Sequence, residues 1–285
     1  MLYFILAVVL CCAVGRNIIS KAGGDRFSGI VNTLGTNVMS SALAMVVFGA
    51  TLPNLSLVTG EMVLLALFYA AFSMLSPCLY IVAVGYGNVG VCSLIFGCAF
   101  LLPTLFGMVY NSETPSVLFV VGVALIILAV VLVTGKITRG GLRCLIPVTL
   151  AMLASGSLGI VQLLFSRNHS PDLQNEFIFV SFTFSFIIAL TLSLIMRKVK
   201  GAPAKRPDLK YFLLGGALAV CIVTQNRLAL ILSGSLPAII LFPTSNGGTI
   251  ALSAVLSALI FKEKFGVRKI SAVAAAVLAI ILINI

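Results

Sequence analysis

Runs of Val, Leu, Ile, Ala and Phe alternate along this chain with short clusters of Gly, Pro, Asn, Ser and charged residues. The runs cover 2–20, 29–49, 61–83, 88–110, 115–135, 144–165, 176–196, 211–232, 237–261 and 267–285. A helix needs about 20 apolar residues to cross the hydrocarbon core of a bilayer. The pattern therefore predicts an all-α integral membrane protein with ten transmembrane helices. The connectors, among them GYGN, NSETP, SGSLP and KEKFGV, are rich in residues that stop helices. NSETP is short, but a Pro beside an acid and an Asn is poorly accommodated in hydrocarbon, so the fourth and fifth runs are read as separate.

The pattern also recurs within the chain. At an offset of 150, Glu113 falls on Glu263 (263 − 113 = 150) and Gly85 on Ser235. FYAAFSMLSPCLYIVAVGYGNVGV then lies over LAVCIVTQNRLALILSGSLPAII, and NSETPSVLFVVGVALIILAVVLV over FKEKFGVRKISAVAAAVLAIILI. Identities are few, yet each copy has an apolar span, a Gly/Ser break, a second span, a Glu just past its end and a third span. This divides the chain into five-helix repeats at 1–138 and 144–285. Because five is odd, the second repeat enters the membrane from the opposite side, and the halves are related by an axis lying in the membrane plane. A site between such halves can face either side in turn, which is alternating access.

Composition agrees with a membrane protein: 61% of residues are hydrophobic and 9% charged, against roughly 45–50% and about 25% in soluble domains. Eighteen Lys and Arg outnumber seven acids, but they sit almost entirely in connectors. That distribution reads as membrane topology rather than nucleic-acid binding. They cluster after odd-numbered runs, from Lys21 and Arg26 through Arg197–Lys210 to Lys262–Lys269, so those connectors are expected on the cytoplasmic side of a cell membrane and both termini outside. Arg16 and Asn17 stand where a signal peptide would need small cleavage-site residues, so the first run is kept as a helix. The seven cysteines form no CxxC pair or Cys/His cluster, and the single histidine, His169, has no paired acids near it. No metal, cofactor or enzymatic activity is expected, and no nucleotide-binding loop is present to use ATP.

Polar residues inside the runs are costly unless they face protein or water, and so they mark the inner faces. Run two carries Thr33, Asn37 and Ser41 at four-residue spacing, with Asn32, Thr36 and Ser40 beside them; run nine carries Ser245, Thr249, Ser253 and Ser257, with Asn246 adjacent. Hydroxyls at that spacing serve helix packing as readily as a cavity, whereas an amide has four hydrogen-bonding positions to satisfy. Arg16 with Asn17 in run one, and Gln225, Asn226 and Arg227 in run eight, are the sharper signals, because a guanidinium in hydrocarbon must snorkel, pair or face water. At the 150-residue offset Asn226 and Arg227 match Ser76 and Pro77, in a polar, Pro-broken segment that includes Tyr80. Gln162 in run six completes the set. Glu61, Glu113, Glu176 and Glu263 all stand at run ends, leaving no carboxylate mid-membrane to hold a cation and a proton in turn. Arginine with amides suits an anionic or zwitterionic solute.

With these residues in view, the chain resembles the drug/metabolite transporter superfamily, in its ten-helix form with two EamA-like halves. The resemblance rests on the Gly/Asn break, the span ending near Glu113, the Gly122-containing span VGVALIILAVVLV and the degenerate copy around Glu263. It implies a central cavity lined by spans one to four and six to nine, with spans five and ten peripheral. The expected function is secondary active transport of a small polar metabolite. Arg16 and Arg227 would complement its charge, Asn17, Asn32, Asn37, Gln162, Gln225, Asn226 and Asn246 would supply amide contacts, and Tyr80 an aromatic wall. The partners are a small-molecule substrate and the lipid bilayer, with no nucleic acid; the coupling ion and a homo-oligomeric state stay open. The alternatives are a broad exporter whose apolar cavity uses Phe68, Phe72, Phe96, Phe100 and Phe106, and a membrane receptor or assembly subunit.

Overall fold

A computed structural model describes the chain except residues 25–26, 28, 52–54, 87–88, 135–141, 201–208 and 263–265. Its regular elements are helices: α1 (Leu2–Gly23), α2 (Ile30–Ala50), α3 (Gly60–Tyr86), α4 (Val89–Gly97), α5 (Leu101–Tyr110), α6 (Val117–Thr134), α7 (Leu145–Asn168), α8 (Gln174–Lys200), α9 (Leu209–Ser235), α10 (Ala238–Phe261) and α11 (Val267–Ile283), with a few single 3-10 turns. Among the described residues eight helical segments are long and apolar enough to cross a membrane, with Val117–Leu132 a shorter apolar one. The chain is an integral membrane protein. Rows of large apolar side chains on α3, α6 and α11, such as Leu64, Phe68, Val120, Leu128, Val277 and Ile281, stay exposed. A bilayer would cover such rows.

Three features differ from the pattern read in the sequence. Run four is two helices, α4 and α5, joined by a 3-10 turn at Cys98–Phe100. Pro103 has no N–H for the carbonyl four residues earlier, so the ladder tightens there; Thr104 Oγ1 donates to the Phe100 carbonyl at 2.7 Å and Asn246 Nδ2 to the Gly97 carbonyl at 3.2 Å. Second, the segment around Pro77 is not broken, because α3 runs through it unbroken. Third, Glu176 stands at a span end as expected, in the first turn of α8, but it is buried there, 2% exposed.

The helices pack in recurring partnerships: α1 against α9 and α10, α2 against α8 and α9, α3 against α7 and α8, α7 against α4 and α5, α10 against α5 and α11, and α6 against α11. Small residues allow the close crossings, since lipid gives apolar side chains no reason to hide and association relies on packing. A Cβ on Gly107 would collide with that of Ala238, and one on Gly156 would stand 2.7 Å from the Ala99 carbonyl oxygen. Ala272, Ala276 and Ala279 are fully buried on α11, in step with Ala129 of α6. Buried hydroxyls bond back to carbonyls of their own helices, as Ser185 does to Ser181 and Ser233 to Ala229, both at 2.8 Å.

The bundle has two ends, named here for Lys21 and Glu113. At the Lys21 end, Asn17 Nδ2 donates to Ser253 Oγ (3.2 Å) and Lys21 Nζ to Ser257 Oγ (2.7 Å), one helical turn apart, tying α1 to α10. At the Glu113 end, Glu113 accepts the Ala238 and Ile239 backbone N–H groups, both at 3.0 Å, and the Asn111 amide at 2.9 Å. Its carboxylate thus caps α10, where free N–H groups and the helix dipole favour negative charge. Glu263 lies outside the described residues, as does the expected boundary at 138.

Candidate functional site

A small crevice of about 10 Å³, room for about one water, lies between α3, α7, α8 and α9, lined by Tyr69, Gln162, Phe177, Ile178, Ser181, Phe182, Asn226 and Leu230. Tyr69, 5% exposed, donates its hydroxyl to Asn226 Oδ1 at 2.5 Å, and Asn226 Nδ2 donates to the Ile222 carbonyl at 2.8 Å. Gln162 stands beside the same hydroxyl and is 8% exposed. Ser181 Oγ, about 1.4 turns beyond Glu176 along α8, is buried without a partner. So are Gln225 Oε1, next to Asn226, and Asn37 Nδ2 on α2. Each such group costs about 1–3 kcal/mol if nothing satisfies it, so these atoms are free hydrogen-bonding capacity near the crevice.

Arg16 sits beside this crevice. It lies seven residues before the end of α1, about 10 Å along the axis, with Cys221 of α9 and Tyr69 of α3 as electrostatic neighbours. The adjoining Gly15 lets α9 approach, since its Cβ would meet Cys221 Sγ at 3.4 Å. Among the described residues no carboxylate or carbonyl takes the Arg16 guanidinium; the side chain keeps part of its surface accessible although protein surrounds it. Because a guanidinium stays charged, this leaves five N–H donors turned to an accessible interior space.

Toward the Glu113 end the crevice is stoppered. Rings stack from His169 on Phe165 (centroids 4.9 Å) to Phe177 (4.0 Å), and Tyr69 meets Phe177 edge-on at 6.2 Å. Ser166 Oγ donates to the Leu230 carbonyl at 3.0 Å, holding α7 to α9, and Tyr110 donates to Asn168 at 2.9 Å, holding α5 to α7. Toward the Lys21 end, α1 and α3 make no packing of comparable extent.

The sequence candidates divide accordingly. Gln162 and Asn226 line the crevice and Arg16 and Gln225 adjoin it. Asn17 is exposed and spent on Ser253. Tyr80 bonds Ser93 at 2.8 Å and packs on Phe96 in a cluster with Cys92 and Cys144, so it is no wall of the crevice here. Asn246 caps Gly97, and Asn32 and Asn37 stay half-buried on α2. Arg227, read as a cavity cation, donates to Gln174 Oε1 at 2.5 Å with Glu176 as its charged neighbour, which anchors it to the first turn of α8. The five phenylalanines of the apolar-cavity alternative are elsewhere: Phe68 is exposed beside Phe72, Phe96 covers Tyr80, Phe100 packs against Phe119, and Phe106 stacks on Tyr110. Tyr69, Ser181 and Gln174 escaped the sequence reading. Tyr69 reads as one more apolar residue, and only its alignment with Asn226 across the bundle reveals it.

No protein-family profile matches the chain, and no curated protein matches it. A solved structure described only as the crystal structure of a protein superposes with a TM-score of 0.76 at 16% identity, covering 98% of this chain and 94% of that one. That likeness establishes the fold and carries no activity with it.

Proposed function

We propose that the chain is a secondary transporter of the drug/metabolite type, moving a small anionic or zwitterionic metabolite between two inverted five-helix halves. The reading of two halves is supported by the packing. Exchange α1, α2, α3, α4–α5 and α6 with α7, α8, α9, α10 and α11, and the partnership α1–α9 becomes α7–α3, α2–α9 becomes α8–α3, and α1–α10 becomes α7–α4/α5, while α2–α8, α6–α11 and α5–α10 map onto themselves. Two partnerships break the rule: α7 meets α9 at the Glu113 end while α1 and α3 lack the counterpart at the Lys21 end, and α6 meets α10 while α11 lacks the counterpart on α4 and α5. The first asymmetry fits a transporter closed at one end and accessible from the other, with the Lys21 end cytoplasmic by its Lys and Arg.

The observation that carries the substrate class is Arg16, a guanidinium within the bundle that no described residue pairs, beside a crevice of amides and hydroxyls. A carboxylate or phosphate would occupy its fork with charge-assisted hydrogen bonds. Uptake of radiolabelled anionic, zwitterionic and cationic metabolites into proteoliposomes tests the reading. Accumulation of an anion or zwitterion that disappears in Arg16→Gln is the expected result; flux of lipophilic cations alone would favour the exporter, and binding without flux the receptor.

A further inference from the structure

We propose that the outer face of α11 is a binding site for an anionic phospholipid, which lays an acyl chain in a furrow of the helix and its headgroup against Arg268 and Lys269. The proposal rests on the chain being a membrane protein and is independent of the transport reading. A shallow groove of about 460 Å³ runs along α11, and its walls are two rows at four-residue spacing: Ile270, Ala274 and Leu278 in one, Val273, Val277 and Ile281 in the other. Such rows are the ridges that a helix surface presents. Ala274, the small member, deepens the furrow between them. Ile270, Val277, Leu278 and Ile281 are each close to half exposed, whereas Ala272, Ala276 and Ala279 are fully buried. The buried alanines face α6 and α10, against which α11 packs. The grooved face is therefore the side of α11 turned away from the bundle.

The length of the groove suits one leaflet. From Ile270 to Ile281 it spans about 16 Å along the helix axis, close to half of a hydrocarbon core roughly 30 Å thick. Charge then gives it a direction. At the Lys21 end, Lys269 extends the Val273 row by one further step of four, and the exposed Arg268 stands beside it. The sequence Lys262–Lys269 holds four cations against the single acid Glu263. Beyond Ile281 follow Leu282, Ile283 and Asn284, none of them charged.

An apolar furrow with cations at one end complements a hydrocarbon tail that carries an anionic head, and Lys and Arg at the membrane surface attract such lipids. A zwitterionic phospholipid could use the furrow but gains no net attraction from the cations. A second copy of this chain is a poorer occupant. Two copies inserted in the same orientation and joined through this face would set Arg268 and Lys269 of one against those of the other, and like charges across an interface are costly.

The test uses the full chain, purified in an uncharged detergent. Its thermal unfolding is followed while phosphatidylglycerol or phosphatidylcholine with the same acyl chains is titrated in. The proposal expects phosphatidylglycerol to raise the unfolding temperature to a plateau, and phosphatidylcholine at the same concentrations to leave it unchanged. Arg268→Gln with Lys269→Gln should weaken the apparent affinity roughly thirtyfold, as two basic residues near the surface require. Ala274→Leu, which fills the furrow without changing charge, should remove the plateau. Arg197→Gln with Lys198→Gln, at the same end of the bundle on α8, should keep it. Each variant is compared with its own lipid-free unfolding temperature, so one of altered stability still reports. An equal rise with both lipids, a rise undiminished in the Arg268/Lys269 variant or in Ala274→Leu, or an equal loss in the α8 variant would overturn the proposal. A dimer in detergent that Ala274→Leu dissociates would also overturn it, by giving the groove to a second copy. None of these outcomes bears on Arg16-dependent uptake, which stands or fails by its own assay.

Discussion

Ser112 and Lys262 stand 150 residues apart (262 − 112 = 150) and hold the same left-handed backbone, with φ of 52° and 51°. Among the described residues no other non-glycine residue has positive φ. Each lies at the end of a helix of the candidate repeats, Lys262 directly after α10 and Ser112 one residue further on, after α5 and Asn111. At Ser112 the purpose is visible: Asn111 N–H donates to the Gly107 carbonyl (2.8 Å), Glu113 N–H to that of Met108 (3.1 Å), and the turn aims Glu113 at the start of α10. The left-handed region costs a residue with a Cβ roughly 1–2 kcal/mol. Ser112→Gly is expected to raise stability by about 0.5–1 kcal/mol in thermal unfolding, after glycine's own entropic cost. Ser112→Val should lower it.

Removing the cap has the opposite sign. Glu113→Ala leaves the Ala238 and Ile239 N–H groups without their acceptor, and a loss of about 1–3 kcal/mol is expected. Glu113→Gln, which can still accept one of the two bonds, should lose less. Denaturation in detergent micelles orders the three proteins.

The asymmetric contact predicts the second conformation. A Cβ on Gly234 would lie 3.4 Å from that of Ser166, within the separation that a disulfide tolerates, so Ser166→Cys with Gly234→Cys should cross-link in the state described here. At the 150-residue offset these positions become Arg16 and Val84 (166 − 150 = 16; 234 − 150 = 84). Arg16→Cys with Val84→Cys should cross-link only when the Glu113 end opens, and the two cross-links should exclude each other in a protein carrying both pairs. Simultaneous formation would contradict alternation between the ends.

Tyr69→Phe takes away the donor of Asn226 Oδ1 while keeping the ring against Phe177. Stability of the unliganded protein is expected to fall by about 1–3 kcal/mol, because the buried Asn226 Oδ1 loses its donor. Thermal unfolding of the parent and Tyr69→Phe proteins measures it.

Much of the fold was legible because hydrophobic runs report burial in lipid directly, and short connectors force neighbours to run antiparallel. What stayed hidden depends on where side chains point. Pro103 narrows a helix while Pro77 is absorbed by one, a difference that rests on neighbouring donors such as Asn246 rather than on proline itself. In the site, polarity inside a run located Arg16, Gln162 and Asn226, but it could not separate a residue facing the crevice from one satisfied by a neighbouring helix, as Asn17 is by Ser253 and Arg227 by Gln174. Glu176 was placed at a span end, where it stands, but its burial in the first turn of α8 depends on the neighbouring helices and not on its position in the run.

The central claim is that Arg16 is held without a partner in order to bind an anion, and ligand-dependent thermal unfolding of the parent, Arg16→Gln and Arg16→Lys proteins tests it most directly. An unpaired charge within a bundle stabilises nothing by itself, so unliganded Arg16→Gln should be at least as stable as the parent. An anionic or zwitterionic metabolite at a hundred times its Kd should add about 2.7 kcal/mol to the parent, part of that to Arg16→Lys, and nothing to Arg16→Gln. If Arg16→Gln is markedly less stable without ligand, or gains as much as the parent with it, Arg16 is a structural residue and the site lies elsewhere.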